Sequence, residues 1–350
     1  MAYASGRDGE GGTVTAPQDG DTEESDETAD TDRTAGGDGT AAGDVSDGTT
    51  DAGEPEAVAE QRVDPSEAFA ALSDPLRVDI LRELATAHRE RTVEPVGFAD
   101  LRKRVGVRDS GRFRYHLNEL RDNFVRKDEG GYRLTVTGIE TVAAILAGTY
   151  THGGSLGPES IDSDCSECGA DAVAVYRDGR CGVTCANDHL LFAWSLPPAA
   201  AADATLPEVV SLAELYARQA IERALAGVCP KCSAPVEPRI VTEDDDPGPD
   251  GTEPVGPLPG LRVRCETCGG RLVGPVGFCL LVDSAVADFY RRHDRSLDAL
   301  RVWEPAFVAD DDTVSVAERD PLRVAVDVTL DGDRLAVTVD GSGRVSVREE

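Results

Sequence analysis

Residues Val107 to Tyr132 read V-R-D-S-G-R-F-R-Y-H-L-N-E-L-R-D-N-F-V-R-K-D-E-G-G-Y. Asp109 and Ser110 are good N-cap residues, and no Pro or Gly interrupts the chain from Arg112 to Arg126. Phe113, Leu117, Leu120 and Phe124 recur at spacings of four, three and four, so a helix here has one apolar face. Arg112, Arg114, His116, Asn118 and Arg121 fall mostly on its other faces. Val125-Arg-Lys127 then extends, Asp128-Glu-Gly-Gly131 turns, and Tyr132 to Val136 reads as a second strand. Between Arg102 and Lys127 there are nine Lys/Arg and three Asp/Glu, inside a chain of net charge −31. A local reversal of that size points to a polyanionic partner.

Working outward, Asp64-Pro-Ser-Glu67 offers a cap, a first-turn Pro and an early acid, which start a helix. Its apolar stripe, from Phe69 and Leu72 through Leu76, Ile80, Leu81 and Leu84, is broken at Ser73-Asp74-Pro75, where a kink and restart are expected. Pro95-Val-Gly97 leads to a short helix from Phe98 to Val105, with Leu101 and Val105 inward, and Gly106-Val107 turns. Downstream, Thr137 to Thr149 is amphipathic. Its apolar face of Ile139, Val142, Ala143 and Leu146 is larger than a small domain needs, and a dimer interface is its simplest use. Helix, helix, recognition helix, hairpin and helix is the order of a winged helix-turn-helix, expected over 63–150. The DNA contacts expected of it are Arg112, Arg114, Tyr115, His116, Asn118 and Arg121 on the helix, and Arg126, Lys127 and Arg133 at the wing.

Two stretches carry a resemblance. Residues 71–84, A-L-S-D-P-L-R-V-D-I-L-R-E-L, and residues 114–120, R-Y-H-L-N-E-L, resemble the opening and recognition helices of ArsR-type repressors. The run from Asp109 to Leu117 is closer still to regulators of halophilic archaea that carry a zinc-binding C-terminal region. The resemblance spans about Asp64 to Gly148 and implies a homodimeric transcriptional regulator that binds double-stranded DNA. Metal-sensing members of that family carry a Cys pair or a Cys-Val-Cys motif in the DNA-binding domain. This chain has no Cys before Cys165, so sensing at that site is not implied.

The first sixty residues hold 17 Asp/Glu against two Arg and almost no large apolar side chain, so 1–62 is expected to be a disordered acidic tail. The remainder is acidic too, which suits solubility in a cytoplasm of high salt. No apolar run is long enough to span a bilayer, and no signal-peptide pattern is present, so a cytoplasmic protein without membrane contact is expected. Nine Cys, several in C-x-x-C pairs, favour metal over disulfides in that compartment.

A Gly/Ser/Asp linker is expected over 151–163, followed by a zinc-binding α+β region over 164–350. Cys165-Ser-Glu-Cys168-Gly169 is a zinc knuckle, Ala172 to Tyr176 and Cys181 to Cys185 form a hairpin around Asp178-Gly179, and Cys185-Ala-Asn-Asp-His189 supplies a second half-site. The spacing favours Cys165, Cys168, Cys185 and His189. Cys181 is the competing fourth ligand, about 13 Å along an extended strand from Cys185, and as a spare thiol it would be the place for oxidation chemistry. Ser211-Leu-Ala-Glu214 reads as a capping box opening a helix to Ala226, with Leu212, Leu215, Tyr216 and Leu225 inward. Cys229, Cys232, Cys265 and Cys268 then make a four-thiolate zinc ribbon around an acidic loop from Glu243 to Gly260. Two closed ligand sets imply two structural zinc ions per chain.

Cys279, within Val276 to Val282, reads as a core strand residue; a short helix from Asp283 to Arg292 and a strand end at Trp303 to Phe307 follow. Leu322 to Leu330, Arg334 to Val339 and Arg344 to Val347, parted by Asp-Gly and Asp-Gly-Ser turns, predict an antiparallel meander. No nucleophile–base–orienter pattern and no phosphate-binding Gly loop is visible, so an enzyme is not expected. The expected function is transcriptional regulation through DNA, with the effector left open. The alternative is a zinc-ribbon scaffold or RNA-associated protein that uses the winged helix for protein contacts.

Overall fold

The Asp64 carboxylate accepts from the Ser66 N–H at 2.7 Å and opens α1, Pro65–Ala71. The Ser-Asp-Pro interruption ends it, and α2, Pro75–Glu90, restarts with Asp74 accepting from Leu76 N–H. α3 (Phe98–Arg104), α4 (Ser110–Glu119), the hairpin β1 (Val125–Asp128) with β2 (Gly131–Leu134), and α5 (Val136–Leu146) follow. In this computed structural model the described residues are 64–90, 94–151, 153–242 and 259–348, so the expected acidic tail and most of the acidic loop lie outside them. Ile80, Leu81, Leu84, Leu101, Phe113 and Leu117 form the core of this N-terminal part. Gly138 sits where α5 begins against the Phe124 carbonyl; a Cβ would collide with that oxygen, so only Gly permits the approach.

Helix α4 ends at Glu119, one turn earlier than an unbroken helical reading allows. Asp122 takes a left-handed backbone (φ 70°) and its N–H donates to the Val125 carbonyl, turning the chain into β1. Asp tolerates that conformation better than most residues, so the break needs neither Gly nor Pro. Leu120 and Phe124 are nevertheless buried as their spacing requires.

The second core gathers β3 (Ser155–Asp164), β4 (Asp171–Arg177), β5 (Arg180–Cys185), β6 (Leu190–Ser195), α6 (Leu206–Leu225), β7 (Arg239–Val241), β8 (Gly260–Arg264) and β9 (Arg271–Pro275). A 3-10 segment, Val276–Val282, leads to α7 (Ser284–Arg292) and α8 (Ala306–Ala309), and β10 (Val314–Arg319), β11 (Leu322–Leu330), β12 (Asp333–Asp340) and β13 (Val345–Val347) complete it. The architecture is α+β, with every strand pair antiparallel among the described residues: β1-β2, β3-β4-β5-β6, β7-β8-β9 and β10-β11-β12-β13.

Four expectations are corrected. Residues Ser155–Asp164 of the expected linker are strand β3, paired with β4 despite their Gly/Ser/Asp content. The capping box of the long helix is Thr205 with Glu208, not Ser211 with Glu214; Ser211 is inside α6, bonded to the Pro207 carbonyl at 3.0 Å. The buried side of α6 is Val209, Val210, Ala213, Ala217, Ala220, Ile221 and Ala224, while Leu215 and Tyr216 are exposed. Small alanines let this helix lie close over the sheet, which outweighs the larger residues that suggested the other face. Finally, Val276–Val282 is a 3-10 segment and Trp303 to Phe307 a turn running into α8, neither of them a strand, although Cys279 is buried as expected.

Candidate metal centres and nucleic-acid interface

The turn between β3 and β4 is built by backbone before any side chain is considered. Cys165 N–H donates to the Ala170 carbonyl and Gly169 N–H to the Cys165 carbonyl, each at 2.8 Å, with Gly169 at φ 68°. The β8–β9 turn repeats this: Cys265 N–H to Gly270 carbonyl and Gly269 N–H to Cys265 carbonyl, each at 2.9 Å, with Gly269 at φ 69°. Cys229 to Ala234 makes a third copy, in which Ser233 takes φ 61°. The fourth turn, between β5 and β6, is one residue shorter. Here Cys185 N–H donates to the His189 carbonyl and Asp188, at φ 62°, to the Cys185 carbonyl, so the next ligand falls after the left-handed residue.

These turns meet in pairs. In the β3-β4-β5-β6 meander the first and third turns lie at the same end, which brings Cys165, Cys168, Cys185 and His189 together. Cys229 and Cys232, just ahead of β7, meet Cys265 and Cys268 in the same way. Within each group the potential ligand atoms all lie within 4.8 Å of one another. Cys168 Sγ to Cys185 Sγ is 3.7 Å and Cys165 Sγ to His189 Nδ1 3.4 Å; Cys229 Sγ to Cys268 Sγ is 3.7 Å and Cys232 Sγ to Cys265 Sγ 3.6 Å. None of these cysteines is in a disulfide. Tetrahedral coordination with metal–sulfur bonds of about 2.3 Å has edges of about 3.8 Å, so both donor sets suit a small divalent ion.

The thiols are pushed in both directions: burial raises Cys165, and although the Ala234 N–H lowers Cys232, its neighbouring thiols raise it to about 12, while two others are drawn down. The Asn187 side-chain amide donates to Cys168 Sγ at 3.2 Å and, with the Ala170 N–H, draws that thiol down to about 6. Backbone N–H groups of Cys232 and Lys231 draw Cys229 down to about 6 as well. Cys181 shares a strand face with Cys185 but lies in the core with no exposure, and burial pushes its thiol up to about 11. It is outside the metal-capable group, and the accessible, acidic thiol expected for oxidation chemistry is not found there. Cys279, also buried, is pushed up to about 12 by burial.

On α4, Arg112, Arg114, Tyr115 and Asn118 are exposed, as are Arg121 just after it and Arg126 and Lys127 on the hairpin. Arg114 stacks over the Phe98 ring at 5.6 Å. His116 departs from expectation: it is buried, and Arg77 Nε donates to its Nδ1 at 3.3 Å. That bond places the ring proton on Nε2. The Arg77 guanidinium also bonds the carbonyls of Ala70 and Ala71 and pairs with Glu119 at 3.4 Å, so it ties α1, α2 and α4 together. Arg133 departs as well: it is half-buried and pairs with Asp128 across the hairpin, whereas Arg126, which pairs with the same carboxylate along its own strand, stays exposed. Sequence reasoning missed Arg77 and Asn187, although each lies inside a stretch it had already singled out.

Among the described residues, no helix is long and apolar enough to cross a membrane. No curated protein matches the chain. Residues 65–145 match the family described as domain of unknown function DUF7347, which covers the first core and the basic helix. Residues 162–345 match the one described as domain of unknown function DUF7351, which takes in both cysteine groups and the terminal sheet. That match covers more than half of the 350 residues, and the chain belongs to the DUF7351 family.

Proposed function

We propose that the protein is a DNA-binding transcriptional regulator. Its residues 64–148 act as a winged helix-turn-helix of the ArsR-like kind, and its C-terminal region holds two structural zinc ions and serves as the sensor or partner module. The observation that carries this reading is the one-sidedness of α4. Phe113 and Leu117 are fully buried, His116 is anchored by Arg77, and Arg112, Arg114, Tyr115 and Asn118 are left facing out beside the Arg126–Lys127 edge of the hairpin. A helix held rigidly by one face and basic on the other is suited to the major groove, with the hairpin cations on flanking phosphates. His116 and Arg133 leave the contact set and serve to position the helix and the hairpin.

Zinc is the metal proposed because three thiolates with one imidazole, and four thiolates, are its usual structural sets; both are closed, with no position left for water. The α5 face supports a homodimer. Val142 points into the core, whereas Ile139 and Leu146 are 46% and 51% exposed, next to Val136 and Tyr150 at 77% and 68%. Two recognition helices would then meet half-sites about 34 Å apart. A cytoplasmic location goes with this reading.

The test is binding of the full chain to its own upstream DNA over a salt series. Arg114→Ala is expected to cost about 1–3 kcal/mol and to relax specificity at one base pair. Lys127→Ala is expected to weaken all sequences alike and to lower the salt slope by about one. Unchanged binding after replacing Arg112, Arg114 and Arg121 together sinks the reading, and a monomeric mass at micromolar concentration sinks the dimer.

A further inference from the structure

Four cations of the C-terminal region gather in a cleft that the proposed regulator function does not use. It lies between the β5–β6 edge, α6 and the β8–β9 ribbon, and has a volume of about 450 Å³. Four cations line it: Arg180 from β5, Arg223 from α6, Lys231 from the knuckle that follows α6, and Arg271 from β9. Among the described residues, none in the lining carries a carboxylate.

In a chain of net charge −31 that combination needs a cause. Several arginines elsewhere in this region are matched to acids: Arg218 with Asp298, Arg264 with Glu266, Arg291 with Asp288, Arg301 with Glu214 and Arg334 with Asp327. Arg180, Lys231 and Arg271 have no such partner among the described residues. The fourth, Arg223, is fixed by neutral acceptors only, the carbonyls of Pro230 and Cys229 and the Ser233 hydroxyl, at 3.0–3.2 Å. Its charge is therefore held in place without being neutralised. A divalent ion in the adjoining four-thiolate group would leave about two negative charges there, so four cations exceed what that centre requires.

Most of the remaining lining is apolar, with two aromatic rings. Trp194 and Tyr216 both line the cleft, as do Ala193, Ala220, Val236 and Leu272, and Tyr216 is 44% exposed. Tyr216 is one of the two large residues of α6 turned away from the core, so its exposure is what this face of the helix presents. Aromatic faces stack on planar rings, and a guanidinium cluster takes phosphate oxygens. The volume is that of a single small-molecule site, which favours a free nucleotide over a polymer strand.

We propose that this cleft, lined by Trp194 and Tyr216 together with Arg180, Arg223, Lys231 and Arg271, binds a free nucleotide, with its base against an aromatic ring and its phosphate on the cations. The assignment stands whether or not α4 binds DNA. Two walls of the cleft are the knuckles of the four-thiolate group, since Cys229, Cys265 and Gly270 belong to the lining. Occupancy by the nucleotide is therefore linked to that group and not to the group of Cys165.

The test is titration of the metal-loaded full chain, without DNA, followed by calorimetry and tryptophan fluorescence. The probes are adenosine monophosphate, guanosine monophosphate, inorganic phosphate, adenosine and a short single-stranded oligonucleotide. At least one monophosphate should bind one per chain and alter the fluorescence, with phosphate and adenosine each at least tenfold weaker. The double variant Arg180→Glu, Arg271→Glu should weaken that binding at least tenfold while leaving the metal content and the unfolding midpoint in place. Trp194→Leu should weaken it and remove most of the fluorescence change. Replacing Arg112, Arg114 and Arg121 should leave it intact. Phosphate binding as tightly as the monophosphate, binding of the oligonucleotide without either monophosphate, binding of neither, or indifference to the charge reversal would each overturn the assignment.

Discussion

The two cysteine groups are assembled from the same turn but do different mechanical jobs. The group of Cys165 clips together the ends of a four-stranded meander whose strands are already laddered, β4 with β5 over six residue pairs. The group of Cys229 joins a knuckle that precedes β7 to a turn more than thirty residues later, and its sheet has three strands among the described residues, one of them three residues long. A metal in the first position fastens an element that backbone hydrogen bonds already define. In the second it joins segments far apart in sequence, and α6, through Arg223, and the nucleotide cleft both border it.

The largest effect expected is therefore at the second group. Cys229→Ser should remove one metal ion per chain and lower the unfolding free energy by several kcal/mol, on the order expected when a structural zinc is lost from a small ribbon. Cys165→Ser, the matching buried position in the first group, should also remove one ion but lower stability by clearly less. Metal analysis with chemical denaturation decides it, and equal losses at the two positions would erase the distinction.

Next comes the choice of fourth ligand. His189→Ala should weaken metal at the first group by tenfold or more and leave the second untouched. Cys181→Ser should leave both ions bound while costing about 1–3 kcal/mol, because a hydroxyl would stand where an unexposed thiol packs. Loss of an ion from the Cys181 variant, with none lost from the histidine variant, would reverse the assignment.

Asn187 should give a smaller effect confined to one group. Its amide donates to Cys168 Sγ, so Asn187→Ala is expected to lower metal affinity there by about tenfold, the usual scale for such supporting contacts, without changing the other site. Competition with a chelating dye reads this directly.

What could be read from the sequence differs between the same regions. Knuckle spacing pointed to both metal-capable groups, because a left-handed turn residue and the alternation of strands leave few ways to arrange C-x-x-C pairs. It left Cys181 in competition with His189, and the structure gathers the set with His189. The caps at Asp64, Asp109 and Asp283 set helix starts within a residue or two, since each carboxylate meets the backbone N–H groups its position requires. The face of α6 was misread because hydrophobic size marked the side of Leu215 and Tyr216, while close packing chose the alanines. Strand β3 was hidden for a related reason. Its composition is that of a loop, and it is a strand because β4 offers a ladder, which is information held in the partner. His116 illustrates the same limit: a face assignment by periodicity cannot foresee that Arg77, 39 residues earlier, will draw it inward.

The smallest effect separates the knuckles themselves. The residue after the second cysteine is left-handed in all three copies, being Gly169 in one, Gly269 in another and Ser233 in the third. A side chain in that conformation costs about 1–2 kcal/mol. Glycine avoids the cost but loses more freedom on folding, by about 0.5–1 kcal/mol, so the net gain from Ser233→Gly is roughly 0.5–1 kcal/mol in favour of the fold. Against it stands one contact, because the Ser233 hydroxyl accepts from Arg223 at 3.1 Å. That guanidinium keeps two carbonyl acceptors and is solvent-exposed, so losing the hydroxyl should cost less than the backbone gains. Ser233→Gly is expected to raise the unfolding midpoint by a few degrees, and Gly269→Ser to lower it by a similar amount. If Ser233→Gly is destabilising while its metal content is unchanged, the serine is there for Arg223, and the cation that shapes the cleft, not the turn, dictates the residue.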